Sequence, residues 1–165
     1  MLSEELKSAL TPVLGRIPSG VFILVAGGPE GRKTGLLASW IQQASFEPPQ
    51  VTVAVNKSRY LKDWLQPGAA VTLNQVVKGD SSLFKQFGKG FEPDADAFTG
   101  VEFEPGLSGL PRLKAALSTM EGNVVSSMEA GDHIIFLVSL SNAVLHKDPS
   151  ENEPYVHIRK NGFSY

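Results

Sequence analysis

The sequence predicts a mainly β domain, a closed barrel of short strands with peripheral helices, and three observations carry that expectation. Six runs rich in apolar and β-branched residues have strand length and are separated by glycine- and proline-containing turns. Their spacing lacks the regular strand–helix alternation that a parallel sheet needs. Closure into a barrel also solves the edge problem that so many short strands create, and leaves a mouth or a shared dimer seam where a flat ligand can lodge.

Taken in order, Ser3 caps a helix over residues 1–14 in which Leu6, Leu10 and Val13-Leu14 recur at helical spacing and Glu4 and Glu5 favour the first turn. That helix ends before Gly15 or Pro18. Strands are expected over residues 20–26, 35–39, 50–56, 70–76, 117–128 and 133–144. The stretch 36–41 reads as a short strand, Ser45 as a polar turn position and Pro48-Pro49 as a stiff lead into the next strand. Ser58 opens a helix carrying Leu61, Trp64 and Leu65 that stops at Pro67-Gly68, and Ser81-Ser82 open another through Leu83, Phe84 and Phe87. Residues 88–111 mix glycine, proline, aspartate and aromatics without periodicity and read as a long excursion that covers something.

Composition sets the bounds. With 165 residues, 42% of them hydrophobic, the chain suffices for a single domain over 1–165 that buries roughly two-thirds of its unfolded surface. Fifteen basic against seventeen acidic residues give a net charge of -2, which announces neither a nucleic-acid footprint nor an anionic membrane partner. The absence of cysteine excludes disulfides, thiolate metal sites, iron–sulfur clusters and a cysteine nucleophile, and fits a reducing interior, so a cytoplasmic location is expected. The acidic start Ser3-Glu4-Glu5-Leu6 is not a secretory signal, and no apolar run approaches a membrane span.

Three fragments mimic other chemistries. Gly27-Gly28-Pro29-Glu30-Gly31-Arg32-Lys33-Thr34 suggests a phosphate loop, but Arg32 replaces the second required glycine and a strand follows where a helix is needed; a hairpin turn is the simpler reading. Gly106-Leu107-Ser108-Gly109 is not a nucleophile elbow. His133, His146 and His157 lack metal-ligand spacing, so no metal is expected.

The segments Ala38-Ser39-Trp40, Gln43-Ala44-Ser45-Phe46 and Pro48-Pro49, the run from Val51 through Asn56-Lys57-Ser58-Arg59, and Gly131-Asp132-His133 together resemble the flavin reductase-like family of FMN-binding split barrels. Within it they are similar to one branch, the C-terminal flavin reductase domain of flavodiiron proteins from oxygenic phototrophs. The likeness runs from about residue 15 to residue 165. It implies a split β-barrel binding FMN, with FAD as an alternative, and NADH or NADPH as reductant. It also implies a homodimer and an electron acceptor that is either a flavodiiron core or a partner monooxygenase. Two alternatives stand beside this: a free-standing reductase that releases reduced flavin, and a non-catalytic flavin-binding electron-transfer or redox-sensing module. A plastid stroma is the expected location if the source is a plant or alga, and the chain is open to being one domain of a larger flavodiiron protein.

An FMN phosphate wants hydroxyls, backbone N–H groups and a cation, and Ser39, Ser45, Ser58, Arg59 and Lys85 are of those types. Each serine also reads as a turn or cap residue, and each cation as a solvated surface charge. The resemblance maps the ring's surroundings onto Ser39, Trp40, Gln43, Ala44, Asn56, Asn74 and Gln75. Asn74 ends an apolar strand run, so either a ligand or neighbouring backbone must pair with its amide; the ligand is the reading taken. Trp40 and Phe87 lie against the flavin or in the core. Trp40 departs from the small hydroxyl residue common in the family. His133 follows a turn at a strand start, and the resemblance gives it an orienting, electrostatic role near flavin and nicotinamide, not acid–base work. Tyr165, in the tail, is expected as an aromatic gate.

Overall fold

The computed structural model describes residues 2–164, so the expected gate Tyr165 lies outside the described residues. The elements are α1 (Glu4–Gly15), β1 (Ser19–Gly20), β2 (Phe22–Gly27), β3 (Lys33–Ala38), β4 (Ile41–Ser45), β5 (Gln50–Asn56), β6 (Ala70–Gln75), α2 (Ser82–Phe87), β7 (Phe103–Pro105), β8 (Pro111–Leu113), β9 (Ser118–Ala130), β10 (His133–Leu145) and β11 (Val156–His157). Ser3 caps α1 as expected, its Oγ accepting from the Leu6 N–H at 3.2 Å. No helix among the described residues is long and apolar enough to cross a membrane.

Seven strands form one antiparallel sheet in the order β3-β2-β6-β9-β10-β5-β4. Its two edge strands, β3 and β4, are consecutive in the chain and joined by Ser39-Trp40 alone. A flat seven-stranded sheet would hold its edges about 29 Å apart, whereas the link reaches at most about 11 Å from Ala38 to Ile41. The sheet therefore has to curl. Among the described residues no ladder joins β3 to β4 or β5; a single backbone bond, Ala54 N–H to Trp40 O at 3.0 Å, crosses near this seam. The curled sheet is thus split along one side.

Strand alternation sorts the side chains into two cores. Phe22, Leu24 and Ala26 face the barrel interior with Val53, Val55, Leu73 and Phe136. Val21, Ile23 and Val25 face outward into a second cluster with Leu83, Phe87, Phe98, Leu110 and Leu113. This is what residues 88–111 cover: the excursion and its small β7–β8 ribbon seal the outer face of β2, which is buried on both sides. Phe87 is fully buried there, packed against Phe91 and Phe98 at ring-centroid distances of 5.7 and 5.9 Å. A Cβ at Gly35 would strike its ring. Phe87 is a core residue and not a flavin contact.

Asn74 also departs from the expectation. It is fully buried, and the protein satisfies its amide: Nδ2 donates to Ile23 O and Thr72 Oγ, each at 3.2 Å, while Oδ1 accepts from Leu113 N–H at 2.9 Å and Thr119 Oγ at 2.8 Å. The hydroxyl of Thr72 goes on to Pro111 O at 2.8 Å. One side chain thereby ties β2 and β9 to the β8 end of the excursion, and its amide atoms are all engaged within the protein. Because Thr119 gives its hydrogen to Asn74, the His146 Nε2 at 2.8 Å must carry the proton shared with Thr119.

Two local expectations fail for reasons of tertiary pairing. The stretch 36–41 breaks after Ala38 because Ile41 pairs with Val53 and starts the new edge strand β4, in which Ser45 is a strand residue beside a register shift and not a turn. Ser58 caps no helix: a 3₁₀ turn occupies Tyr60–Trp64 without a side-chain cap, and Ser58 instead gives its N–H to Asn56 Oδ1 at 2.9 Å. The fragment 27–34 is a hairpin, with Gly28 N–H bonded to Arg32 O at 2.8 Å.

Asn74→Ala is expected to cost about 3 kcal/mol in chemical denaturation, because it strands the Leu113 N–H and the Thr119 hydroxyl in a dry interior. Burial pushes the His146 imidazole below its ordinary value, with Glu104 opposing. The unfolded chain therefore takes up the proton first as pH falls through about 6.5, and stability drops across that window. His146→Gln, which keeps an N–H for Thr119 and cannot titrate, should lose less melting temperature between pH 7 and pH 5 than the unaltered protein.

Candidate functional site

The split in the barrel opens a hollow of about 270 Å³ between β3 and β5, with Leu36, Ser39, Ala54, Asn56, Phe84 and His157 among its walls. A second hollow of about 460 Å³ adjoins it and is lined by Thr34, Ser58, Tyr60, Lys89, Gly90 and Glu92. Leu36 and Arg59 belong to both. The first has apolar walls and the second is polar, which is the division a flat ring with a charged tail requires.

The turn after β5 places the junction. Asn56 accepts the Ser58 N–H on Oδ1 at 2.9 Å and the Arg59 N–H on its carbonyl at 3.0 Å, so Ser58 is presented to the polar hollow and Arg59 to the junction of the two. Gly90, at φ 77, leaves the space the guanidinium needs: a Cβ there would stand 3.0 Å from Arg59 Nη1. Among the described residues the side chains of Ser39, Ser58, Arg59, Lys89 and His157 have no hydrogen-bond or ion-pair partner in the protein. Two cations face one carboxylate, Glu92, around the polar hollow, so it carries an excess of positive charge. That donor set fits a phosphate monoester.

Beside this cavity, one strand further along the sheet, His133 pairs with Asn56 across β10 and β5. It is buried, and its Nδ1 stands 2.8 Å from Asp132 Oδ1, a bond that holds the Asp132 carboxyl below its usual range. The Trp40 ring lies 4.7 Å from the His133 ring, and the Arg159 guanidinium sits 5.1 Å from the Trp40 centroid. Trp40 and His133 therefore pack on one another next to the hollows without lining them.

The structure brings together Ser39, Asn56, Ser58 and Arg59. It does not bring the rest to that place. Gln43 and Ser45 line a separate depression of about 340 Å³ with Phe22, Pro49 and Leu140, and Ala44 is exposed on the edge strand. Gln75 accepts from Ser118 Oγ at 3.1 Å within the sheet. Lys85 is exposed on α2 and touches neither hollow, while Asn74 and Phe87 are consumed by the interior. Sequence reasoning passed over Lys89 and His157. The Gly88-Lys89-Gly90 triplet after α2 was the only signal for the first, and nothing local signalled the second. Among the described residues no three histidine or carboxylate side chains converge as a metal site.

A family description named flavin reductase like domain matches residues 14–164. The chain belongs to that family: it is a flavin reductase-type oxidoreductase domain, and its cofactor is a flavin. Among its relatives is diflavin flavoprotein A 1 of Synechocystis sp., 40% identical over 163 residues, a match that takes in 98% of this chain and 28% of the relative. The chain thus spans little more than a quarter of the length of that curated relative. Solved structures with the same fold include the NADH:FAD oxidoreductase SgcE6 of Streptomyces globisporus, with TM-score 0.80, 25% identity and coverage of 98% and 93% of the two chains. Another is the styrene monooxygenase flavin reductase of Pseudomonas putida S12, with TM-score 0.73, 21% identity and coverage of 90% and 91%.

Arg59→Ala is expected to weaken FMN binding roughly 10- to 100-fold in a fluorescence-quenching titration, the loss of a charge-assisted contact, with Arg59→Lys recovering part of it.

Proposed function

We propose that this domain takes hydride from NADH or NADPH onto N5 of a bound FMN, with FAD as the alternative flavin, and passes the electrons to a flavodiiron oxygen-reducing core. The single observation that carries the site assignment is the junction at Arg59, an unpartnered cation between an apolar hollow and a polar one. A bound flavin supplies the two-electron chemistry and can release electrons one at a time.

The chain's residues hold, orient and shield. Arg59 and Lys89, with the Ser58 hydroxyl, hold the phosphate; Ser39 and the Asn56 amide orient the polar edge of the ring; Leu36 and Phe84 keep water from its faces. His133, fixed by Asp132 and backed by Trp40, orients and tunes the field beside the ring and is not assigned a proton-transfer role. The flavodiiron acceptor is favoured by the 40% identity to a diflavin flavoprotein, most of whose length lies outside the matched region. A monooxygenase acceptor is the second reading, and rests on the fold shared with a styrene monooxygenase flavin reductase. A homodimer is supported by exposed Val125 and Met128 on β9, apolar side chains that a second copy would cover. A cytoplasmic or stromal location belongs to the same proposal.

Anaerobic titration of the FMN-loaded protein with NADH and, separately, NADPH tests the reading. Stoichiometric bleaching of the bound flavin by one of them is the expected result, and it identifies the nucleotide. Bleaching only with excess free flavin would favour the flavin-releasing reductase, and tight FMN unaffected by either nucleotide would remove the reductase assignment.

A further inference from the structure

We infer that His157 is a further flavin-contacting residue, which makes the C-terminal strand a wall of the binding site. The inference rests on the flavin reading above and adds a residue to it. β11 pairs antiparallel with β1, Ser19 opposite His157 and Gly20 opposite Val156. Alternation along this short strand turns Val156 outward, 55% exposed, and sets His157 half-buried on the wall of the apolar hollow with Ser39, Arg59 and Phe84.

The backbone that carries His157 is anchored on both sides. Before it, Tyr155 O accepts from Val21 N–H at 3.1 Å, Tyr155 N–H donates to Val76 O at 2.8 Å, and the Tyr155 ring packs on Phe84 at 4.8 Å. After it, Arg159 N–H donates to Gly15 O at 2.8 Å and Gly162 N–H to Thr11 O at 2.9 Å, which docks the tail on the end of α1. So anchored, the His157 imidazole has neither a hydrogen bond nor an ion pair among the described residues. An imidazole can hydrogen-bond through its ring nitrogens, and on the wall of this hollow they are available to a ligand that displaces water from it. The hydrogen-bonding edge of a flavin ring and the ribityl hydroxyls offer both donors and acceptors. A metal is not the occupant this site suits, since among the described residues no group of three histidine or carboxylate side chains includes His157, and no second one lines its hollow.

The test compares FMN dissociation constants by flavin fluorescence for the unaltered protein, His157→Ala, His157→Phe, His157→Gln and, as a control on the outward side of the same strand, Val156→Ala. Melting without FMN reports folding for each. His157→Ala and His157→Phe should bind FMN about tenfold more weakly, His157→Gln should recover most of that loss, and Val156→Ala should match the unaltered protein. Should His157→Ala not fold, His157→Phe, which keeps the bulk and lacks both nitrogens, carries the comparison. Dissociation constants within twofold of the unaltered value for the Ala and Phe variants would overturn the role of His157 and leave the flavin site standing. No FMN binding by the unaltered protein would overturn the flavin reading and this inference with it.

Discussion

The short link Ser39-Trp40 is the constraint on which the architecture depends. It joins strands that stand at opposite edges of a seven-stranded sheet, so the sheet can exist only curled. Curling without a ladder between those edges leaves a seam, and the seam is the hollow. The same two residues then divide the work: Ser39 faces the hollow, while Trp40 turns to the neighbouring stack of His133 and Arg159. A topological necessity and the candidate site are here one feature.

A curled sheet with an open seam needs its remaining faces closed firmly, and Asn74 does much of that. Burying an amide costs free energy unless every group is paired, and here each partner lies on a different piece of chain: Ile23 on β2, Thr119 on β9 and Leu113 on β8. The network accordingly couples the excursion 88–111 to the barrel. Glu121, buried to 3% exposure, does the same further along, accepting from Leu107 N–H at 2.7 Å and from Asn142 at 2.8 Å while facing Arg112. With the excursion held, Phe87 is locked over Gly35, and the outer face of β2 and β3 is dry. The rigidity reaches the site, because Gly88, Lys89 and Gly90 follow directly from that locked helix.

The site contrasts with this interior. Asn74, Thr119 and Glu121 in the interior are paired with other protein groups, whereas the side chains of Ser39, Ser58, Arg59, Lys89 and His157 around the hollows lack protein partners among the described residues. Folding supplies the geometry that holds them, and the phosphorylated flavin proposed for this site would supply complementary charge and hydrogen-bonding groups. Relatives such as the Synechocystis diflavin flavoprotein carry this unit as about a quarter of their length.

The sequence by itself determined the local units and the kinship. Ser3 and its acidic first turn specified α1, apolar alternation specified β5 to the residue and β6, β9 and β10 nearly so, and glycine-rich turns specified the 27–34 hairpin. These depend on interactions within a few residues. The run from Ala38 to Arg59 and the Gly131-Asp132-His133 turn carried the family likeness. Tertiary structure decided what depends on distant partners. Whether Asn74 pairs with a ligand or with Leu113 and Thr119, whether Phe87 meets a flavin or Gly35, and whether Ile41 continues one strand or begins another are settled by which segments pack together. His157 joins Ser39 only because a two-residue ladder lays the tail beside β1. Burial and pairing are non-local, so residue type narrows what a side chain can do, and the assembled fold selects which of those things it does.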